Sequence, residues 1–159
     1  MFPSALKKIS ERKGYKEYVR ITFCGGVTSV TGANFLTEIY KHDGTIFTFL
    51  VDCGMEQGTE KAKVYNASPF AFDPAKVDIL LVTHAHMDHI GLIPKLVRHG
   101  FRGTIYSTPE TRDLSVFMLD DCLKLVTQEA DHAGVDPIFE EQDLRHTFEL
   151  WKTISYHKD

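Results

Sequence analysis

Four side chains that can bind metal ions stand close together in the middle of the chain. They are His84, His86, Asp88 and His89, within the segment Thr83-His84-Ala85-His86-Met87-Asp88-His89-Ile90-Gly91. Neutral imidazoles and carboxylates are ligands that suit zinc and its neighbours among the divalent metals. Alternate residues of an extended turn share a side, so His84 and His86 can point the same way. We expect Asp88 and His89 to lie where the chain turns into a helix. From there they could bind a second metal ion beside the first.

These ligands need a rigid element to position them, and the sequence supplies one directly before them. Residues 77–82, Val-Asp-Ile-Leu-Leu-Val, have the apolar run of a strand. The apolar spacing over residues 91–99 predicts a helix that ends at Gly100. Because ligand sites are commonly built at the C-terminal ends of such strands, we expect the metal-binding segment at one edge of a sheet.

The other predicted elements complete an α/β fold, a mixed sheet flanked by helices. Strands are expected first, and an alternation of strands and helices follows them. The predicted strands are 18–24, 33–40, 46–51, 104–107 and the start of a strand at 153–156. The predicted helices are one that begins after Thr108, with an apolar face from Leu114 to Val126, and one over 141–151. Residues 55–74 are predicted to form a loop.

The composition is that of an ordinary globular domain, or of a piece of a larger one. The chain has 159 residues, of which 43% are hydrophobic and 25% charged, which excludes a disordered tail or a collagen-like repeat. Three widely spaced cysteines form no CxxC pair, so a reducing compartment is expected. No apolar run approaches the roughly 20 residues that span a bilayer. We therefore expect a cytoplasmic protein that does not contact membranes.

The net charge of −4 conceals a basic N-terminal arm, residues 1–17. Residues 1–20 carry six basic and two acidic side chains, a balance of 6 − 2 = +4. Such an arm can contact a phosphate backbone. A solvated terminal segment explains the same pattern more simply. Charge alone therefore does not identify a nucleic-acid-binding protein.

The histidine-rich segment resembles the signature of the metallo-β-lactamase superfamily of binuclear metal hydrolases. Four further segments resemble its β-CASP branch, whose members are RNA-processing nucleases. These segments are Gly25 to Leu36, Val51-Asp52-Cys53-Gly54 with Gln57-Gly58, Asn66 to Pro74, and Gly100 to Pro109. The branch includes RNase J-like enzymes and the endonuclease of eukaryotic mRNA 3′-end cleavage. The resemblance covers residues 18–157 and implies the N-terminal half of an αββα sandwich.

The resemblance also implies a role for each matching residue. His84 and His86 would bind the first metal, and Asp88 and His89 the second. Asp52, at the end of the third strand, would hold the metal loop in place, and Asp88 would also orient the attacking hydroxide. The implied cofactors are two divalent ions, zinc or alternatively manganese. The implied substrate is RNA, hydrolysed by a hydroxide that the metals activate, and a homodimer of the full-length form is compatible with the family.

One departure from the family pattern concerns the remaining ligands. The family has a third histidine, a bridging aspartate and a further histidine, all downstream of the strand that begins near Thr153. His157 lacks the glycine and serine neighbours of the third-histidine motif, so we do not expect it to bind metal. Residues 18–159 are therefore expected to be a partial domain of a longer enzyme, with weak metal binding and no nuclease activity alone. The other histidines, expected on the surface, are His42, His99, His132 and His146.

Several interpretations stay open from the sequence. The same motif occurs in hydrolases that act on thioesters, lactones or lactams, and some family members are non-catalytic scaffold subunits. The segment from Gly25 to Gly32 fits either a phosphate-binding loop or ordinary turns. Phe70 and Phe72 fit either stacking on bases or packing beneath their loop.

Overall fold

The computed structural model describes residues 17–27, 29–58 and 60–156, without the side chain of Glu60. The basic arm, apart from Glu17, and His157 lie outside the described residues, so the expectations for them stay predictions. No helix in the described part of the chain combines the length and apolar character needed to cross a membrane.

The described residues form one sheet of six strands that lie side by side in chain order. The strands are β1 (Tyr18–Gly25), β2 (Asn34–Tyr40), β3 (Ile46–Val51), β4 (Ile79–Leu81), β5 (Thr104–Ser107) and β6 (Trp151–Thr153). The first three strands pair antiparallel, and β3 to β6 pair parallel. The predicted mixed sheet and the hairpin of β2 and β3 are confirmed.

Five α-helices and one short 3₁₀ turn are described. The helices are α1 (Glu60–Ala67), α2 (Met87–Ile90), α3 (Ile93–Arg98), α4 (Pro109–Ala133) and α5 (Glu141–Leu150), with the 3₁₀ turn at Pro74–Lys76. Helix α4 begins as predicted, because the Thr108 hydroxyl accepts a hydrogen bond from the Thr111 amide and Pro109 occupies the first turn. It ends at Gly134, whose left-handed φ of 67° suits glycine.

The two faces of the sheet have different surroundings. Leu50, Leu80 and Ile105 are fully buried in a core that the helices share. On the opposite face, as the strand register shows, β1 exposes Val19, Ile21 and Phe23 by more than half of their surface. A single sheet covered by helices on one face is half of an αββα arrangement, so the predicted fold class is confirmed.

Two predicted elements that precede β5 differ from the structure in their type or bounds. The predicted loop over 55–74 contains α1, which sequence periodicity missed because it buries Ala62 but exposes Lys61 and Val64. The helix predicted over 91–99 is α3, which ends at Arg98 with His99 rather than Gly100 as its C-cap, and the separate short helix α2 precedes it inside the histidine-rich segment.

Two corrections apply to elements after β5. Strand β6 begins at Trp151 rather than near Thr153, since Trp151 already pairs with Ile105 of β5. The Trp151 indole also donates a 2.8 Å hydrogen bond to the Ser107 hydroxyl of β5. The apolar face predicted on α4 is also narrower than expected. Its Leu119 and Cys122 are buried, whereas Leu114 and Phe117 are exposed by 59% and 74%.

Candidate metal centre

The histidine-rich segment lies at the C-terminal end of β4, as the sequence predicted. The Val82 amide donates to the Tyr106 carbonyl, so the segment leaves the sheet beside β5. His86 has extended backbone angles, φ −72° and ψ 147°, and α2 begins at the next residue. The segment is therefore extended through His84 and His86 and helical at Asp88 and His89.

Asp52 lies behind this segment and organises it. Its side chain is 2% exposed, and its backbone adopts a left-handed φ of 61°, which a short polar residue tolerates better than most. Its Oδ1 atom accepts a hydrogen bond from the Thr83 amide at 2.8 Å. Its Oδ2 atom lies 2.8 Å from Thr83 Oγ1 and 2.7 Å from His89 Nδ1. One buried carboxylate thus ties the start of the segment to its end.

The predicted ligands converge on one small volume. The ring centroids of His84 and His86 are 4.6 Å apart, and those of His84 and His89 are 4.0 Å apart. Asp88 Oδ2 lies 3.6 Å from His89 Nε2. Since these side chains are only partly buried, apart from the exposed His86, the cluster faces solvent and is open to a substrate.

The electrostatics of the cluster favour neutral imidazole at His84. Burial lowers the pKa of His84 below its ordinary value, and the neighbouring His89 and His86 lower it further. A metal ligand must offer a lone pair, so a histidine that resists protonation is suited to that task.

Backbone hydrogen bonds hold the cluster against β2 and the end of β3. The Ala33 amide donates to the Asp88 carbonyl at 2.9 Å, and the Cys53 amide donates to the His89 carbonyl at 2.8 Å. Gly54 packs so closely that an added Cβ would collide with the carbonyl of Asp88 and the amide of His89. Only glycine fits at this position, which explains the Asp-Cys-Gly sequence after β3.

The donor set is suited to divalent metal ions. Three imidazoles and a carboxylate are suitable for zinc or manganese. In the described part of the chain no group of three or more His, Cys, Asp or Glu side chains is arranged to hold a single ion. The His84 ring lies nearer to the His89 ring than to the His86 ring.

The other histidines in the described part are on the surface, as expected. His42 Nδ1 lies 2.6 Å from Glu17 Oε1 in an exposed pair. His99 contacts the edge of Phe70, with ring centroids 6.0 Å apart, and His132 and His146 are exposed on α4 and α5.

The structure favours a turn role for the segment from Gly25 to Gly32 and a packing role for Phe70 and Phe72, the two interpretations that the sequence left open. In the glycine-rich loop, the Ser29 hydroxyl donates to the Thr31 carbonyl, and the Thr31 hydroxyl accepts from the Gln57 amide. Phe70 and Phe72 pack against the core, with ring centroids 5.3 Å apart. These groups are therefore engaged within the fold.

A residue of the cluster that sequence reasoning missed is Thr83. Its hydroxyl contacts Asp52, and it also lies 2.9 Å from His84 Nδ1. The sequence signal that could have identified Thr83 is its hydroxyl side chain directly before the first histidine, His84. Only the folded structure shows that this hydroxyl reaches Asp52, which lies 31 residues away in the sequence.

A groove of about 730 Å³ lies beside the cluster, on the side of Met87. Its lining combines apolar side chains, among them Met55 and Met118, with charged side chains of both signs, among them Glu56, Lys63 and Glu129. Lys63 Nζ lies 3.7 Å from Glu129 Oε1.

Comparison with known proteins extends these observations. The family model described as the metallo-beta-lactamase superfamily matches residues 41–157. Ribonuclease TTHA0252 of Thermus thermophilus is 41% identical over 67% of this chain. Transcription termination factor FttA of Methanosarcina mazei is 32% identical over 84% of the chain, and endoribonuclease YSH1 of Kluyveromyces lactis is 29% identical over 89%.

The match covers a limited part of each relative. The chain spans 22%, 20% and 18% of the lengths of these three proteins. The relatives confirm the predicted resemblance to the β-CASP branch of RNA-processing nucleases. With a family model that matches well over half of its residues, the chain belongs to the metallo-beta-lactamase superfamily.

Proposed function

We propose that this chain is the N-terminal part of a metal-dependent ribonuclease that hydrolyses RNA phosphodiesters. The convergence of His84, His86, Asp88 and His89 at the end of β4 is the observation that carries the proposal. The names of two relatives, a ribonuclease and an endoribonuclease, support RNA as the substrate. In this proposal residues 18–159 form a partial domain, and the apolar outer face of the sheet is completed by later parts of the polypeptide.

The proposed ligands are His84 and His86 for one ion and Asp88 and His89 for the other. When bound, two zinc or manganese ions would supply hydroxide at neutral pH and neutralise charge on the phosphate. Each ion has two protein ligands in this chain, so we propose that further ligands come from the rest of the enzyme. The fragment alone would then bind metal weakly and lack nuclease activity.

The chain's own residues position the reacting groups. Asp52 accepts a hydrogen bond from His89 Nδ1, which fixes the ring and leaves Nε2 directed at Asp88. Asp88 keeps 21% of its side chain exposed, so its carboxylate can accept a hydrogen bond from the attacking hydroxide and orient it. Positioning of this kind places the nucleophile before the substrate arrives.

The proposal includes the setting in which the enzyme works. The cysteine pattern supports a cytoplasmic location, because the three cysteines in the described part are free. RNA is the proposed partner, and a homodimer is proposed for the full-length form. The basic arm would contribute to RNA binding through contacts between its positively charged side chains and the phosphate backbone.

The test compares substrates on the full-length protein. Labelled RNA, a thioester, a lactone and a lactam are incubated with the metal-loaded enzyme, and His84→Ala serves as the inactive variant. His132→Ala, a change on the exposed surface of α4, is the matched control. Cleavage of RNA that His84→Ala abolishes and His132→Ala retains supports the proposal. Turnover of another substrate class without RNA cleavage contradicts it, and bound metal without any turnover indicates a scaffold.

A further inference from the structure

We infer that Thr83 is a positioning residue that selects which nitrogen of His84 is free to bind a metal. This inference rests on the proposed metal centre and extends it to a residue outside the histidine motif. The hydroxyl of Thr83 lies between the buried Asp52 carboxylate and the His84 ring, at 2.8 Å from Oδ2 and 2.9 Å from Nδ1.

The direction of these two hydrogen bonds follows from proton counting. An ionised carboxylate only accepts hydrogen bonds, and a threonine hydroxyl has one proton to donate. The Thr83 proton therefore goes to Asp52, which leaves the hydroxyl oxygen as an acceptor. The neutral His84 ring must then carry its proton on Nδ1 and donate it to Thr83. Its Nε2 atom keeps the lone pair that a metal requires.

Asp52 thus fixes two histidines by two routes. It accepts directly from His89 Nδ1 at 2.7 Å, and it acts on His84 through the Thr83 hydroxyl. Thr83 Oγ1 also lies 3.4 Å from His89 Nδ1, so the hydroxyl stands between both rings. The Thr83 amide donates to Asp52 Oδ1, which holds the residue in place independently of its side chain. Removing the hydroxyl therefore releases His84 while the backbone anchor remains.

The first experiment reads the tautomer in the metal-free protein. Histidine rings are labelled with ¹⁵N, the His84 signals are assigned by their loss in His84→Asn, and long-range ¹H–¹⁵N correlations identify the protonated nitrogen. We expect the Nδ1-protonated form in the wild type and in Thr83→Ser, and a mixture of tautomers in Thr83→Val. The same tautomer in Thr83→Val as in the wild type overturns the inference.

The second experiment titrates the full-length protein with zinc. Thr83→Val should weaken binding by about 10- to 100-fold, whereas Thr83→Ser retains the wild-type affinity within a few-fold. Thr48→Val, at a buried threonine in β3, is the control for a general loss of packing and should bind zinc as the wild type does. Equal affinity of Thr83→Val and the wild type contradicts the inference. If Thr83→Val does not fold, the smaller Thr83→Ala replaces it.

The two experiments separate this inference from the proposed function. A wild-type protein that binds no zinc refutes the proposed metal centre, and the tautomer measurement still decides the role of Thr83. Conversely, tight zinc binding with an unchanged His84 tautomer in Thr83→Val refutes only the role of Thr83.

Discussion

His89 Nδ1 lies 2.7 Å from Asp52 Oδ2, although the two residues are 37 positions apart in the sequence. Asp52 directly follows β3, and His89 lies in α2 after β4, so the hydrogen bond joins the segments that follow two neighbouring parallel strands. The same carboxylate also binds the amide and hydroxyl of Thr83. The geometry of the cluster therefore depends on one buried side chain that is not itself a candidate ligand.

Replacing Asp52 with asparagine tests this dependence. Asparagine keeps the shape but offers one acceptor oxygen where the carboxylate has two, so one of the donors from Thr83 or His89 would face an NH₂ group. We expect the free energy of unfolding to fall by about 3 kcal/mol, because a buried charged acceptor is lost. Urea denaturation of Asp52→Asn measures this loss.

The matched control is Asp43→Asn in the turn between β2 and β3. Asp43 also accepts hydrogen bonds from a neighbouring threonine, Thr45, but it is exposed. We expect Asp43→Asn to cost less than about 1 kcal/mol. Equal losses of unfolding free energy in the two variants would show that the buried hydrogen bonds of Asp52 stabilise the fold no more than the exposed hydrogen bonds of Asp43.

Gly54→Ala tests the close packing behind Asp88. The added methyl group would overlap the Asp88 carbonyl, so either the helix α2 shifts or the end of β3 moves. We expect a loss of about 2–3 kcal/mol of stability and weaker zinc binding by the full-length protein. Gly44→Ala is the control, since Gly44 has a φ of 84° but open space around it. It should cost about 1 kcal/mol and leave zinc binding unchanged, and unchanged binding in Gly54→Ala would refute the packing argument.

Much of the candidate site was predictable because its signals are local. Histidine spacing and the apolar strand before it are contained in residues 77–91, and the extended-then-helical path of the segment follows from them. The predicted start of α4 was equally local, since Thr108 and Pro109 act within the first turn.

The parts that sequence reasoning missed depend on contacts between distant residues. Helix α1 has no apolar stripe, and hydrogen bonds hold it in place instead. The Asn66 side-chain amide accepts from the Glu56 backbone amide and donates to the Glu56 carbonyl, and the Tyr65 hydroxyl donates to the Cys24 carbonyl. Thr83 was missed for the same reason, because its partner Asp52 follows β3 and lies 31 residues away in the sequence. Residue types and their periodicity do not indicate which distant residues will be in contact.

The metal stoichiometry tests the paired arrangement of ligands. We expect the full-length protein to bind two divalent ions, measured by elemental analysis after dialysis. His86→Ala should lower the metal affinity of one site by more than about 100-fold. This loss exceeds the roughly 10- to 100-fold effect of replacing a residue that only supports a metal ligand. His146→Ala, on the exposed side of α5, should bind as the wild type does. Loss of both ions in His86→Ala alone would show that the two sites do not form independently.

The last prediction concerns the buried Lys95 of α3. Its ammonium donates to the Asn66 and Ser68 carbonyls at 2.5 and 2.6 Å, and the residue is 2% exposed. Lys95→Met leaves both carbonyls without this donor, although it also removes the cost of burying a charge. We expect a net loss of about 1–2 kcal/mol at neutral pH, measured by urea denaturation.

The pH dependence of that loss separates the charge from the hydrogen bonds. Burial lowers the pKa of Lys95 below 10.5, so between the lowered value and 10.5 the unfolded chain binds more protons than the folded one. Wild-type stability relative to Lys95→Met therefore rises with pH through this window and is constant below it. Lys76→Met, at a side chain that is 81% exposed, is the matched surface variant for the urea measurements. A difference between wild type and Lys95→Met that stays flat or shrinks as the pH approaches 10.5 would show that the ammonium is not penalised by its burial.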